Sequence, residues 1–472
     1  MADRLSPLDV SFLYLEEATT PMHVGGLAIF EPPEEGFDHD RLVALIKNRI
    51  AFVPRYRQRI RLIPGRVANP VWVDDESFDV TYHVRRSALP RPGTMAQLRE
   101  LVARIMSRPL DQNRPLWEMY LIEGLENGRF AILSKSHHAM VDGLAAVDIG
   151  QVILDVTPEP RSTGTDVWRP AREPSSLELF VGGVADTVRS PKAFVNNVKS
   201  GLEDVRETAV GAGRNMAGVL SAAATVVRPP AASPLNVDIG EQRRYGMADT
   251  KLEDYKRVRK AHGGTVNDVV LAVVAGAIRE WLMTRGESLT SRSTIRAMVP
   301  VSVRPEDDKD AGNQVSAFLC DLPVGEPDPV VRLQRVAFEM GQHKAVGQML
   351  GAQAIIGVTG FAPPTLHSIG ARAASGLTRR VWNVIVTNVP GPQFPLYAGG
   401  AKMLATYPVV PLYKNQAVTI GLTSYNGGVY YGLNADRDAM PDVDVLADCI
   451  IESLAELVDT TTPSGRRRTL KS

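Results

Sequence analysis

The sequence predicts an α+β protein built as two mixed lobes. Three observations carry that expectation. The chain has 472 residues, more than one ordinary core holds, and two domains are the natural division. Each half alternates short strand-like stretches with helix-like ones. Between the halves, residues 157–172 are rich in Pro, Thr, Ser and Arg, the composition of a boundary.

In the first half, residues 1–156, positions 24–30 read as a strand, 40–51 as a helix and 57–62 as a strand. Met95–Met106 places Leu98, Leu101, Val102 and Ile105 at helical spacing. Residues 116–123 and 130–138 read as paired strands joined by the turn-prone Glu126-Asn127-Gly128. Residues 157–238 read as a partly helical connector. It sets Phe194, Val198, Leu202 and Val205 on one helical face and ends in RPPAASPLN. In the second half, residues 239–460, Val266–Thr284 is a long apolar helix, and 297–303, 315–322, 383–389 and 417–422 are strand-like. A last helix, opened by Pro441, aligns Leu446, Ile450, Leu454 and Leu457. Residues 461–472 are polar and basic, with the character of a disordered tail.

Composition narrows the function. With 44% hydrophobic and 22% charged residues the chain reads as folded and globular. Its net charge is zero and no basic domain stands out, which argues against nucleic acid as a partner. Two cysteines, Cys320 and Cys449, are too few for a disulfide framework or a thiolate metal site. The N-terminal run lacks the basic and apolar regions of a signal peptide. No stretch reaches the roughly 18 apolar residues of a spanning helix. The most apolar run, 350–364, is broken by Gly351, Gly357, Gly360 and two prolines. A cytoplasmic protein is expected.

Chemistry concentrates in FAILSKSHHAMVDGLAAVDIG, residues 130–150. Strand alternation puts Ser134, Ser136 and His138 on one side and Lys135 and His137 on the other. Gly143 suits a tight turn, and residues 144–154 begin an apolar helix. A neutral imidazole can accept a hydroxyl proton near pH 7. Asp142 would hold the turn or pair with an arginine. The plainer reading is two histidines at a strand end, one packed and one exposed. No HExxH motif or nearby ligand cluster supports a metal. A GxSxG elbow, a Walker motif and Rossmann glycine spacing are also missing.

HHAMVDG is similar to the HHxxxDG signature of the bacterial wax ester synthase/diacylglycerol acyltransferase family. Distant relatives with that signature include chloramphenicol acetyltransferase and peptide-synthetase condensation domains. Residues 5–30, Pro115-Leu116-Trp117, Asn267-Asp268, residues 298–304, Gly312-Asn313 and Asn388 to Pro392 resemble further blocks of the family. The DFGWG signature of condensation domains is not present. The resemblance implies two chloramphenicol-acetyltransferase-like lobes with a substrate tunnel between them. It implies His138 as general base, with His137 and Asp142 shaping the site beside Gly143. Asn267 would face the site from the second lobe, and Glu16 matches an acidic residue implicated in activity.

The implied substrates are acyl-CoA and an acceptor that is diacylglycerol or a long-chain alcohol, with the lean toward diacylglycerol. Transfer is expected to be direct, without a bound cofactor. Alternatives are an acyltransferase acting on a carrier-bound substrate and an inactive lipid-binding protein. Peripheral contact with a membrane or lipid inclusion belongs to the same expectation.

Several residues keep a simpler reading beside the implied one. Asn267 could cap its helix, Glu16 could be an exposed charge, Trp117 could be core and Asn388 a turn residue. Arg55, Arg57, Arg59 and Arg61 alternate in PRYRQRIRLIP, which on a strand puts all four on one face. They could meet Asp74, Asp75 and Glu76, or part of the row, Arg57 and Arg59 above all, could receive the phosphates of coenzyme A.

Overall fold

In the computed structural model, the described residues are 3–66, 68–141, 149–161, 166, 168–189, 230–303, 314–346, 350–351 and 381–462. Among these residues, two seven-stranded sheets dominate. One holds, in spatial order, Val84–Ala88, Trp117–Glu123, Phe130–His137, His23–Glu31, Ala401–Val409, Tyr397–Ala398 and Leu154–Asp155. The other holds Leu350–Gly351, Gln314–Leu322, Ile295–Val303, Val384–Pro390, Val418–Tyr425, Gly428–Asp436 and Arg243–Lys251. A small three-stranded sheet joins Asp3–Arg4, Val71–Asp74 and Gln58–Arg61.

The helices begin where local chemistry sets them. Ser6 caps Pro7–Leu15 in a reciprocal box with Asp9, and Pro7 pre-sets the first turn. Thr94 and Gln97 form the same box ahead of Met95–Met106. That helix buries Leu98, Leu101, Val102 and Ile105 along one stripe, as the spacing predicts. Val266–Thr284 is apolar on nearly every side and lies in the core of the second lobe. Leu446, Ile450, Leu454 and Leu457 of Val443–Asp459 pack into the same core.

Two elements depart from expectation. Residues 54–57 form a short 3-10 helix, and the strand is only Gln58–Arg61. The four arginines therefore do not share one strand face. Proline at position 54 fixes a helical φ and starts the turn that the alternation hid. Leu154 lies in a strand with Asp155, so the apolar run after Gly143 does not stay helical to its end; its described helix is Ile149–Val152.

The sheets do not respect the midpoint of the chain. Ala401–Val409, from the second half, pairs antiparallel with His23–Glu31 and extends the first-lobe sheet. Its Tyr407 and Val409 join Leu27, Leu98 and Val102 of the first half and Tyr245 of the second in one buried cluster. The lobes are thus sealed by shared core. No single described helix is long and apolar enough to cross a membrane; Leu252–His262 and Val266–Thr284 pass by composition only as a pair, bent by 101°.

Candidate active site

Phe130–His137 lies between two antiparallel partners, Trp117–Glu123 and His23–Glu31. The pairing sets His23 directly opposite His137. At the strand end, His137 N–H donates to Leu116 O at 2.9 Å and His138 N–H to Met22 O at 2.8 Å. Backbone on both sides therefore fixes where the two imidazoles leave the sheet.

Their surroundings differ. His137 is buried, and its Nδ1 accepts the Ala139 N–H at 3.1 Å, which leaves the ring proton on Nε2. Burial pushes its pKa down to about 3, against the pull of Glu16. It is a neutral brace for the turn that follows. His138 is half-buried, and its ring stacks on Phe12 at 3.9 Å between centroids and 17° between planes. Of the pair, His138 is the more exposed.

Glu16 ties this corner together. Its Oε1 accepts the Met22 N–H at 3.2 Å, and its Oε2 accepts Gln112 Nε2 at 2.9 Å. His23 Nε2 lies 3.4 Å and His137 Nε2 3.7 Å from the same carboxylate. Burial opposes ionisation, but the His23 contact, the field of both histidines and the Gln112 bond outweigh it and hold Glu16 down to about 2. Met22 links the two ends: its N–H is held by Glu16 and its carbonyl holds His138. Glu16 is a structural anion inside the site, not a loose surface charge.

Lys135 anchors the other side of the strand end. It is fully buried, donating to Ile105 O at 3.1 Å and to Arg108 O at the end of Met95–Met106. Burial lowers its pKa to about 8. Ser134, on the opposite face, lines a cavity of about 520 Å³ between the lobes. The walls are largely apolar, with Phe30, Ile132, Ile153 and Met403 from the first-lobe sheet side and Val389 to Pro392 from the second lobe. Asn388 stands immediately before that wall and donates from Nδ2 to Asn267 Oδ1 at 3.2 Å.

Asn267 does not cap its helix. Thr265 does, in a reciprocal box with Asp268 at 3.1 and 2.8 Å. Nor is Asn388 only a turn residue, since its side chain reaches Asn267. Trp117 is core: buried, stacked on His83, and bonded through Nε1 to Tyr56 O at 2.8 Å.

A profile described as "Wax ester synthase/diacylglycerol acyltransferase catalytic domain" matches residues 5–270, and one described as "WS/DGAT C-terminal domain" matches residues 311–458. The chain belongs to this family. A Mycobacterium tuberculosis (strain H37Rv) protein named "Probable diacyglycerol O-acyltransferase tgs2" is 35% identical over 467 residues, covering 96% of this chain and 98% of its own. Among solved structures, the wax ester synthase/diacylglycerol acyltransferase of Marinobacter aquaeolei VT8 superposes with a TM-score of 0.70 at 29% identity, over 97% of this chain and 99% of that one. The first condensation domain of the CDA synthetase shares the fold at a TM-score of 0.58 and 14% identity, over 98% and 97%. The two lobes are thus of the chloramphenicol-acetyltransferase-like kind.

Asp142 and Gly143 lie outside the described residues. So do Gly312-Asn313 and the connector face of Phe194, Val198, Leu202 and Val205. Arg57 is buried against Asp166 and sits over the Trp168 ring at 4.7 Å. Arg59 and Arg61 share Glu173 at 2.5 and 3.2 Å, and Arg55 meets Asp3 at 2.5 Å. These arginines already hold carboxylates, supplied by the connector and the N-terminus. Asp74 instead accepts from Gln58 at 2.9 Å and from the Ala171 N–H at 2.9 Å. Sequence reasoning passed over His23, Phe12 and Gln112. A histidine beginning the strand after Glu16 was the available signal for the first, but its place opposite His137 depends on non-local pairing.

Proposed function

We infer that this chain is an acyl-CoA-dependent O-acyltransferase that esterifies diacylglycerol to triacylglycerol, with His138 as general base. The observation that carries the mechanism is the contrast at the strand end: His137 is sealed and proton-poor, while His138 is half-open and pinned through its backbone. The apolar interlobe cavity supplies a place for acyl chains; Ser134 on its wall is four residues, roughly 13 Å, from His138 along the strand.

The chemistry is direct transfer with no resident cofactor. His138 takes the acceptor's hydroxyl proton as the oxygen attacks the thioester carbonyl carbon. The tetrahedral oxyanion collapses, the carbon–sulfur bond breaks, and the leaving thiolate takes the proton from the imidazolium. Contact with a lipid surface from the cytoplasmic side belongs to this reading, because the acceptor resides in lipid.

Long-chain alcohols form a second acceptor class, favoured by the structural similarity to an enzyme named for both activities. Labelled palmitoyl-CoA incubated with diacylglycerol or hexadecanol tests both. Triacylglycerol is the expected product, and His138→Ala lowers turnover by about 10²–10⁴-fold with the fold kept. Full turnover in that variant overturns the mechanism. Lipid binding without transfer, or transfer only to a carrier-bound acceptor, overturns the function.

A further inference from the structure

A second interlobe cleft, of about 630 Å³, opens where Met95–Met106 of the first lobe meets Arg243–Lys251 and Val443–Asp459 of the second. Its lining contains Arg99, Arg104, Arg108, Arg243, Arg244 and Arg437, against only two carboxylates, Glu100 and Asp444. In a chain of zero net charge this is a local concentration of cations. Three of the six are committed: Arg99 to Asp444 at 3.2 Å, Arg437 to Asp438 at 3.2 Å, and buried Arg243 to the carbonyls of Gly240 and Thr19. Among the described residues, no carboxylate pairs with Arg104, Arg108 or Arg244. Arg104, Arg108 and Arg244 are exposed, so their guanidinium groups, contributed by both lobes, stand open to an incoming anion.

The cleft also adjoins the site. Tyr245 lines it, and the Tyr245 hydroxyl donates at 2.9 Å to the carbonyl of Pro408, which lines the apolar interlobe cavity. Arg108 lines it too, and its carbonyl holds Lys135, two residues before His137. A cleft rich in arginine and an apolar cavity thus adjoin across the Tyr245–Pro408 contact. That is the polarity of acyl-CoA, whose nucleotide end carries a pyrophosphate and a 3′-phosphate and whose other end is hydrocarbon.

We propose that this cleft receives the phosphorylated nucleotide end of the acyl-CoA donor, with Arg104, Arg108 and Arg244 as its phosphate ligands. The proposal rests on the acyltransferase reading and replaces the arginine row at positions 55–61, whose charges are already met. Guanidinium groups suit phosphate oxygens because they donate in pairs. An anionic lipid headgroup offers similar phosphate chemistry, so the test separates the two sources.

The test compares palmitoyl-CoA with palmitoyl-pantetheine, which lacks the nucleotide, as donors for the full chain. In the parent, KM is lower for palmitoyl-CoA. In Arg104→Gln/Arg108→Gln/Arg244→Gln, KM for palmitoyl-CoA rises by roughly tenfold or more, and the ratio of the two KM values falls toward one. Arg104→Gln and Arg244→Gln, one on each lobe, each move the ratio part of the way, should the triple variant fold poorly. A ratio that the substitutions leave unchanged, with both donors still used, overturns the subsite alone. Loss of binding to phosphatidylglycerol vesicles with an unchanged ratio assigns the cleft to lipid and also overturns it. No transfer from either donor in the parent overturns the acyltransferase reading instead.

Discussion

Glu16 is charged where burial argues against charge, and the groups around it explain why that arrangement persists. Two nearby imidazoles, the Met22 N–H and the Gln112 amide face one carboxylate. The consequence is a direction for pH. Unfolded, His137 titrates near 6.5; folded, near 3. Between those values the unfolded chain binds the additional proton, so acid favours unfolding by about 1.4 kcal/mol per pH unit. Glu16 acts the same way: its contribution is complete above 4.5 and fades as pH falls toward 2. His23 and His83, also lowered by burial, add to the trend. Melting temperature should therefore fall progressively below pH 6.5. In His137→Asn, which keeps an acceptor for Ala139, the fall between 6.5 and 4.5 should be shallower. An identical slope would show that His137 is not buried neutral.

Single elements carry separable jobs. Thr265 caps Val266–Thr284, while Asn267, two residues past the cap, is turned to Asn388. Thr265→Ala should cost about 1 kcal/mol of stability with kcat kept. Asn267 spends Oδ1 on Asn388; under the proposed mechanism its Nδ2 would be the donor to the oxyanion. Asn267→Ala should then lower kcat by about 10²–10³-fold at nearly unchanged melting temperature. An Asn267→Ser variant with the parent's rate would remove Asn267 from that role. The Ser176–Arg189 helix docks through buried Leu179 on Ile63, Val71 and Val73. Leu177, Phe180 and Val181 are left outside at 71, 40 and 57% exposure. Replacing those three with serine should reduce flotation with anionic liposomes by several-fold; equal flotation would place lipid contact elsewhere. Elements of this kind were legible in the sequence because their signals are local: the stripe in Met95–Met106, the apolar Val266–Thr284, the Asn127 turn between two strands. What was illegible depends on distant partners. Asp166 and Glu173 take Arg57 and Arg59, although Asp74 to Glu76 lie nearer in sequence, and nothing local in RRYGMADTK marks it as an edge strand.

At the scale of the molecule, the sheet that carries His137 depends on both halves of the chain. His23–Glu31 has Phe130–His137 on one side and Ala401–Val409 on the other. Without the second half, residues 25–31 would expose an unpaired edge in the middle of a sheet, together with the apolar faces of Leu27, Leu98 and Val102 that Tyr407 and Val409 cover. Interlobe bonds repeat the dependence: Lys414 to Glu17 at 3.1 Å, Arg99 to Asp444 at 3.2 Å, Arg243 to Thr19 O. A division at residue 238 therefore follows chain order but cuts through a shared sheet. Residues 1–238 expressed alone, although they carry His137 and His138, should aggregate or lack a cooperative melt. Co-expression with residues 239–472 should restore a soluble complex with one transition. A first half that melts cooperatively by itself would mean that the exchanged strand adds to a lobe already complete.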